Sequence, residues 1–276
     1  MTAPHMGHMQ RFGINTGSVT SMFGFCTVGK HGTHLEREGT RGTRAHSNTD
    51  VIDGPYTVSG QIIINPTNTD LSLLETYIIG ASGAVTNTLG EFHVVIDRGN
   101  GVYTYSNCKI TRAVYSGRQG ELLRLVCDVI GKTESATGTR PSEPTTATPF
   151  AFDDITLTLA SSAREVEEFE LVVDNHMIPD RFQHQQTVTD IPEADRTVTL
   201  RTVHSWSTNT SGLYSQAVGG SEGSLVLNDG TNTRTYTFGK LQVPDESPPL
   251  ADRGPMMLTL NMVARKDTDS MEIART

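Results

Sequence analysis

The stretch Phe92-His-Val-Val-Ile-Asp97, Arg98-Gly-Asn-Gly101, Val102-Tyr-Thr-Tyr-Ser106 sets the fold class. Two β-branched and aromatic runs flank a Gly/Asn-rich connection that tolerates positive φ, which is the signature of a β-hairpin. The device recurs downstream, where Leu225-Val-Leu227 and 233–238 flank Asn228-Asp-Gly230. Further strands are predicted at 56–64, 121–130, 155–160, 169–174, 196–204 and 257–264. Only two helices are expected. The first runs from about 70 to 79, capped by Thr69 or Asp70, with Ser72 and Glu75 at capping-box spacing and Gly80 as its stop. The second, about 211 to 218, ends at Gly219-Gly220.

The order of elements repeats at a nearly constant offset. Tyr56-Thr-Val58 parallels Arg196-Thr-Val198, and Thr67-Asn-Thr69 parallels Thr208-Asn-Thr210. Each is followed by a short helix, a glycine stop and a Gly/Asn hairpin. The hairpin ends in two aromatics and a lysine: Tyr103, Tyr105 and Lys109 against Tyr236, Phe238 and Lys240. A last strand closes each copy, Leu123-Arg-Leu125 against Leu258-Thr-Leu260. The expected organisation is an arm (1–11), a first β module (12–132), a Thr/Ser/Pro-rich tether (133–149), a second β module (150–269) and a tail (270–276). The tether holds three prolines and almost no apolar side chain, so it is expected to run extended without a core.

The chain has 276 residues, a net charge of −9 and a mean hydropathy of −0.31. That charge argues against the broad basic face of a dedicated DNA reader. It is also uneven. Of 31 acidic and 22 basic residues, 143–196 holds 12 and 3, which leaves 19 of each elsewhere. The first nine residues carry no apolar signal core, and no stretch approaches ~20 apolar residues; synthesis in a host cytoplasm without membrane insertion is the expectation. Cys26, Cys108 and Cys127 are odd in number and widely spaced, as buried thiols are, and not as a disulfide framework or CxxC site would be.

The motifs that carry chemistry lack their context. Gly24-Phe-Cys-Thr-Val-Gly-Lys30 has phosphate-loop spacing, but His31 stands where Ser or Thr would hold Mg²⁺ and no helix follows. Gly219-Gly-Ser-Glu-Gly223 matches a nucleophile elbow, yet the expected order is helix, motif, strand, the inverse of what the elbow needs. The carboxylates at 153, 154, 165, 167, 168 and 170 read as a wet strand face, and His5, His8, His31, His34 and His46 lack partners at ligand spacing. Trp206 and the Tyr103/Tyr105 pair read as packing residues and less readily as a sugar-stacking platform. The expectation is a protein without catalytic residues, cofactor or metal.

The segment Phe169-Glu-Leu-Val-Val-Asp-Asn-His-Met-Ile-Pro-Asp-Arg-Phe-Gln183, with Asp190-Ile-Pro-Glu-Ala-Asp-Arg196 after it, resembles the tail tube proteins of long-tailed bacteriophages and their prophages. In that family an apolar strand ends in Asp-Asn, a loop carries an Arg near aromatic and Gln residues, and a Pro/Arg word opens the next long strand. Asp174, Asn175, Arg181, Pro192 and Arg196 stand in those places. The first copy departs from the pattern, with Gly29-Lys-His-Gly32 where the second has Asp174-Asn175.

The resemblance implies a mainly β protein of two tandem β-sandwich modules, each with one short α-helix, whose sheets join those of neighbours into a β-barrel tube on oligomerisation. It implies a structural virion protein, the major tail tube subunit, stacking as homotrimeric (pseudo-hexameric) or hexameric rings, contacting other tail proteins and passing DNA through a lumen without specific binding. It also implies that 29–54, which corresponds to 175–195, is a long loop reaching the adjacent ring. Opposed charges, Lys30, Arg37, Arg41 and Arg44 against Asp180, Asp190, Glu193 and Asp195, would then set the register between rings. The rival reading is a two-domain β-sandwich that binds glycan or protein.

Overall fold

The computed structural model describes residues 10–36, 51–80, 88–144, 147–205, 212–243, 257–267 and 272–276. The first half of the chain contains β1 (Arg11–Asn15), β2 (Val19–Met22), β3 (Gly24–Cys26), β4 (Gly29–Glu36), β5 (Val51–Ile64), α1 (Asn68–Ile78), β6 (Phe92–Asp97), β7 (Val102–Arg118), β8 (Arg124–Gly131) and β9 (Thr133–Ser135). The second half contains β10 (Ile155–Leu159), β11 (Ser162–Arg164), β12 (Glu168–Asp174), β13 (Thr197–Ser205), α2 (Leu213–Gly219), β14 (Ser221–Asn228), β15 (Thr233–Gln242), β16 (Met257–Arg265) and β17 (Ala274–Arg275).

Both hairpins form where the Gly/Asn turns place them, β6–β7 and β14–β15. The first helix begins two residues before its expected start. Thr67 Oγ1 accepts from Asp70 N while Asp70 accepts from Thr67 N, so Thr67 and Asp70 form the capping box and Ser72/Glu75 do not. Leu71, Leu74 and Ile78 bury its inner face, and Gly80 turns the chain away at φ +109°. The second helix is Leu213–Gly219, and Gly220 at φ +78° leads straight into β14. Helix, Gly219–Gly223 and strand therefore follow in that order.

All strands join one continuous sheet that does not close into a barrel within the chain. In the first half the pairing runs β3/β4–β5–β8–β7–β6–β1–β2, with β9 added to β7. In the second half it runs β12–β13–β16–β15–β14–β10–β11, with β17 added to β15. The two halves are joined through one sheet. Seven antiparallel register pairs, from Glu168↔Arg118 to Asp174↔Arg112, zip β12 directly onto β7. One core cluster correspondingly spans both halves, with Tyr115 of β7 facing Tyr236 of β15 at 5.5 Å between ring centroids.

The described parts of the segment 133–149, namely 133–144 and 147–149, run extended, as the prolines require, but are docked and not free. Its first residues form β9 on β7, Arg140 pairs with Asp97, Glu143 with Arg11 at 2.6 Å, and Pro149 bridges Thr67 beside a buried Phe150. Its backbone groups find partners on the first half where its side chains could not build a core. The region from 29 is likewise more ordered than a polar loop: Gly29–Glu36 pairs with 51–59 as a two-stranded ribbon, its β4 side chains almost all exposed. Both faces of the ribbon are wet, so no hydrophobic alternation announced it.

Candidate assembly surface

The six strands β5–β8–β7–β12–β13–β16 turn one face to the core and leave the other uncovered. The register places the uncovered side chains in rows that cross all or most of these strands. The central row, Ile63–Val126–Val114–Val172–Thr199–Val263, is β-branched throughout. On one side lies Gln61–Asp128–Arg112–Asp174–Thr197. On the other lie Arg124–Ser116–Glu170–Arg201–Asn261 and then Arg118–Glu168–Val203–Thr259. The acidic strand β12 therefore meets the arginine-bearing strand β7 inside one chain, and Glu168 also accepts a hydrogen bond from Arg201.

Beyond β12 the segment 175–196 is pinned to the molecule by its polar residues. Asn175 is 3% exposed; its side-chain amide donates to Ile78 O and Ile110 O, both at 3.1 Å, and its backbone N–H to Thr111 O. Asp174 accepts from His176 N, Arg181 pairs with Asp190 at 2.9 Å, and Ile178 N–H donates to the Pro192 carbonyl. Glu193 accepts from Lys109 Nζ at 2.7 Å and from Leu89 N, and Arg196 holds Glu272 and Ile79 O. Four of the five family-motif residues thus carry side-chain bonds: Asn175 and Arg196 tie the segment to the end of α1, to β7 and to the chain end, Asp174 and Arg181 brace it internally, and Pro192 contributes its carbonyl.

The charges expected to face a neighbour divide accordingly. Asp190 and Glu193 are engaged within the chain, the latter nearly buried, whereas Asp180 and Asp195 are exposed. Lys30 lies over the Tyr56 ring at 4.2 Å to its centroid. Arg37, Arg41 and Arg44, like Trp206, lie outside the described residues. Gln186 binds the base of the β4–β5 ribbon, accepting from Tyr56 N and donating to Asp53 O, so the loop and the ribbon emerge side by side at one end of the open face.

Among the described residues β3 and β4 pair on one side only, with β5, leaving an open sheet edge. Phe23 and Phe25 at that edge are 78% and 74% exposed. Far along the ribbon, Leu35 and Ile52 are register partners and both exposed. A depression of about 570 Å³ sits at the β7–β12 junction between Asn65, Leu122 and Glu170. Its lining mixes both charges around Phe169 with no convergent nucleophile, base and acid.

Buried titratable groups serve the scaffold. Glu75 of α1, 1% exposed, binds Arg275 at 3.2 Å and Tyr236, with Arg234 beside it; burial pushes its carboxyl above the usual range against the pull of these partners. His204 is fully buried, Nδ1 on Glu165 O and Nε2 on Thr202, and burial holds its pKa down. Desolvation raises the Cys108 thiol to about 12 and Cys26 to about 11, so neither is a reactive thiolate. Among the described residues there is no group of three or more His, Cys, Asp or Glu able to hold a metal ion, and no helix is long and apolar enough to cross a membrane.

The β12 seam was invisible in the sequence, because strand pairing across halves leaves no local signal; the arginines at 112 and 118 opposite 174 and 168 are its trace. A family model described as phage tail tube protein matches residues 32–264. No curated protein matches the chain.

Proposed function

Because this chain belongs to the phage tail tube protein family, we propose that it is the subunit of a tail tube, and that three copies close each ring. The observation that carries this reading is the β7–β12 seam. The pairing orders of the two halves are superimposable element by element, which supports an internal duplication with β12 as the counterpart of β3/β4. The outer edge of β12 is covered by β7 of the same chain, while the counterpart edge is open. A second copy supplies the missing strand from the counterpart of β7, which is β15 and the residues after it. Each copy is left with one open edge and one covering strand, the arrangement that closes into a ring when rotation permits.

Geometry favours three copies. Each chain contributes eight strand positions, β3/β4 through β15, to the open-faced sheet. Three chains then give about 24 strands, and at ~4.8 Å per strand and a tilt of ~40° the backbone circle is roughly 50 Å across, wide enough for duplex DNA; six chains would double it. The uncovered face of the six-stranded sheet lines the conduit, and the β4–β5 ribbon projects from one end of the ring. Lys30, Arg37, Arg41 and Arg44 on the ribbon side meet the exposed Asp180 and Asp195 of the next ring and set its register; Asp190 and Glu193, engaged within the chain, take a smaller part.

Negative-stain electron microscopy of the purified protein tests the assembly. Rings or tubes with a central hole and threefold mass are expected, and a monodisperse monomer at every concentration would refute it. Arg41→Glu with Arg44→Glu should shorten or abolish tubes while leaving single rings intact; tubes of unchanged length would remove the charge pairing from the account.

A further inference from the structure

Asn100-Gly101 is the one Asn-Gly pair in the sequence, and it stands at the tip of the β6–β7 hairpin. Gly99 at φ +82° reverses the chain, Gly99 N–H donates to Asp97 Oδ1 at 2.8 Å, and Arg98 N–H donates to Gly101 O at 3.0 Å. Among the described residues two polar groups of the tip are left without a hydrogen bond: the Gly101 N–H and the side-chain amide of the exposed Asn100. Backbone conformation does not demand glycine at 101, whose φ is not positive, and a Cβ built there would meet only the Tyr103 ring, at 3.5 Å. Other asparagines are occupied. In the second hairpin Asn228 Oδ1 accepts from Gly230 N–H at 2.9 Å, and Asp229 accepts from Thr231 N, Asn232 N and Asn232 Nδ2. Those bonds, Asn232 foremost, hold the Asp229 carboxyl below its usual range, ionised and unreactive toward an amide nitrogen. Asn107 Nδ2 donates to Glu91, and Asn175 Nδ2 to Ile78 O and Ile110 O.

We propose that Asn100 is a site of spontaneous deamidation, in which the hairpin tip reacts with itself and water is the only co-reactant. The Gly101 nitrogen gives its proton to solvent base and attacks Cγ of Asn100. A new N–Cγ bond forms, the Cγ–Nδ2 bond breaks, and the departing nitrogen takes up a proton and leaves as ammonia. The product is a cyclic imide that joins the Asn100 side chain to the Gly101 nitrogen. Water then opens it at one of two carbonyls. Opening at Cγ restores the normal backbone with aspartate at 100, whereas opening at the main-chain carbonyl leaves isoaspartate, with the chain running through Cβ and Cγ. Oxidation states are unchanged, and the sum is amide plus water to carboxylic acid plus ammonia. Either product adds a carboxylate that is ionised above about pH 4, and isoaspartate also lengthens the turn that sets the Asp97↔Val102 register. Arg98 carries the change inward. Its Nη2 donates to Tyr105 OH at 2.8 Å and to Val28 O at 3.5 Å, at the corner between β3 and β4 beside the open sheet edge.

The test is to age the purified full-length chain at pH 7 and at pH 9 and to follow residue 100 by tryptic mapping with mass spectrometry. Cleavage after Arg98 and Lys109 releases 99–109, which holds both Asn100 and Asn107, so the bonded asparagine serves as the control within one fragment. Labelling by an isoaspartyl methyltransferase separates isoaspartate from aspartate, and a synthetic 99–109 peptide sets the unrestrained rate. Asn100 in the protein should convert within tenfold of its rate in the peptide, at least tenfold faster than Asn107, and faster at pH 9 than at pH 7, because the attacking nitrogen must lose its proton. Gly101→Ala fits the turn, so it should keep the wild-type melting curve while its methyl group hinders ring closure and slows conversion at least tenfold. Conversion at Asn100 more than tenfold slower than in the peptide, or less than tenfold faster than at Asn107, overturns the proposal. So does a folded Gly101→Ala chain that converts as fast as wild type. The site rests on the geometry of one hairpin, so failure of the chain to form rings leaves the inference standing, and failure of Asn100 to convert leaves the tube reading untouched.

Discussion

Asn175 offers a sharp test of how the segment after β12 is held. Its amide is the donor to two buried carbonyls, Ile78 O at the end of α1 and Ile110 O beside the β7 bulge. Asn175→Ala removes both donors and opens a small void. At about 1–3 kcal/mol for each orphaned acceptor, the loss is about 2–6 kcal/mol, which at roughly 2–4 °C per kcal/mol lowers the melting temperature by around 10 °C. Asn175→Asp is nearly isosteric and separates shape from chemistry. An ionised carboxylate facing two carbonyl oxygens has no donor, so the folded state holds the acid protonated and raises its pKa above the unfolded value of about 3.9. The sign follows: the variant keeps its stability below about pH 4 and loses it as pH rises through the folded value. For a buried acid shifted by about 3–5 units, the deficit at pH 8 is roughly 4–5.5 kcal/mol, the upper end being set by the distance from the unfolded value to pH 8. Thermal melts followed by circular dichroism at pH 4.5 and pH 8, at one scan rate, read this directly. Asn175→Asp should melt at least 10 °C below wild type at pH 8, and the gap should narrow markedly at pH 4.5. A variant melting within about 2 °C of wild type at pH 8 would refute the account of Asn175 as an obligatory double donor.

Two further outcomes follow from buried charges. His204 is held neutral in the core, with Arg164 disfavouring and Glu167 favouring its charged form. A depressed folded pKa means that its contribution is complete above about pH 6.5 and is lost as pH falls below it, so wild type should lose more stability between pH 7 and pH 5 than His204→Gln does, and equal slopes in urea midpoints would contradict the assignment. Lys109→Met strands the Glu193 carboxylate at a site where its side chain is 12% exposed, costing about 3–5 kcal/mol; Glu193→Gln, which can still accept from Leu89 N, should cost less, and the reverse order in urea melts would show that the pair does not hold the loop.

The sequence was most legible where structure is local. Asn100-Gly101 and Asp229-Gly230 place their hairpins, and the helix at 68–78 is displaced only at its start, because the stronger Thr67/Asp70 box outcompetes the Ser72/Glu75 spacing. The ribbon at 29–36 escaped notice because exposed strands carry no period-two signal. The docking of 133–149 escaped because it is made by backbone and by single ion pairs to Arg11 and Asp97, residues with no sequence neighbourhood in common. Asp174, Asn175, Arg181 and Arg196 were picked out by resemblance; what Asn175 and Arg196 hold, from Ile110 O to Ile79 O, is set by tertiary partners 65 to 117 residues away. The concentration of acid in 143–196 says nothing of its partners, whereas antiparallel pairing sets β12 against the arginines of β7.

That β7–β12 ladder also bears on how fast a ring is made. A ring of three such chains has six equivalent junctions, and every second one forms as each chain folds, at an effective concentration set by a short connecting segment and not by the number of copies in solution. Only three bodies must then collide to close a ring, where unlinked single modules would need six. On the proposed three-copy ring, nucleation would therefore fall with a lower power of subunit concentration as the protein is diluted, so that rings would start at lower subunit concentration than a ring of six unlinked modules.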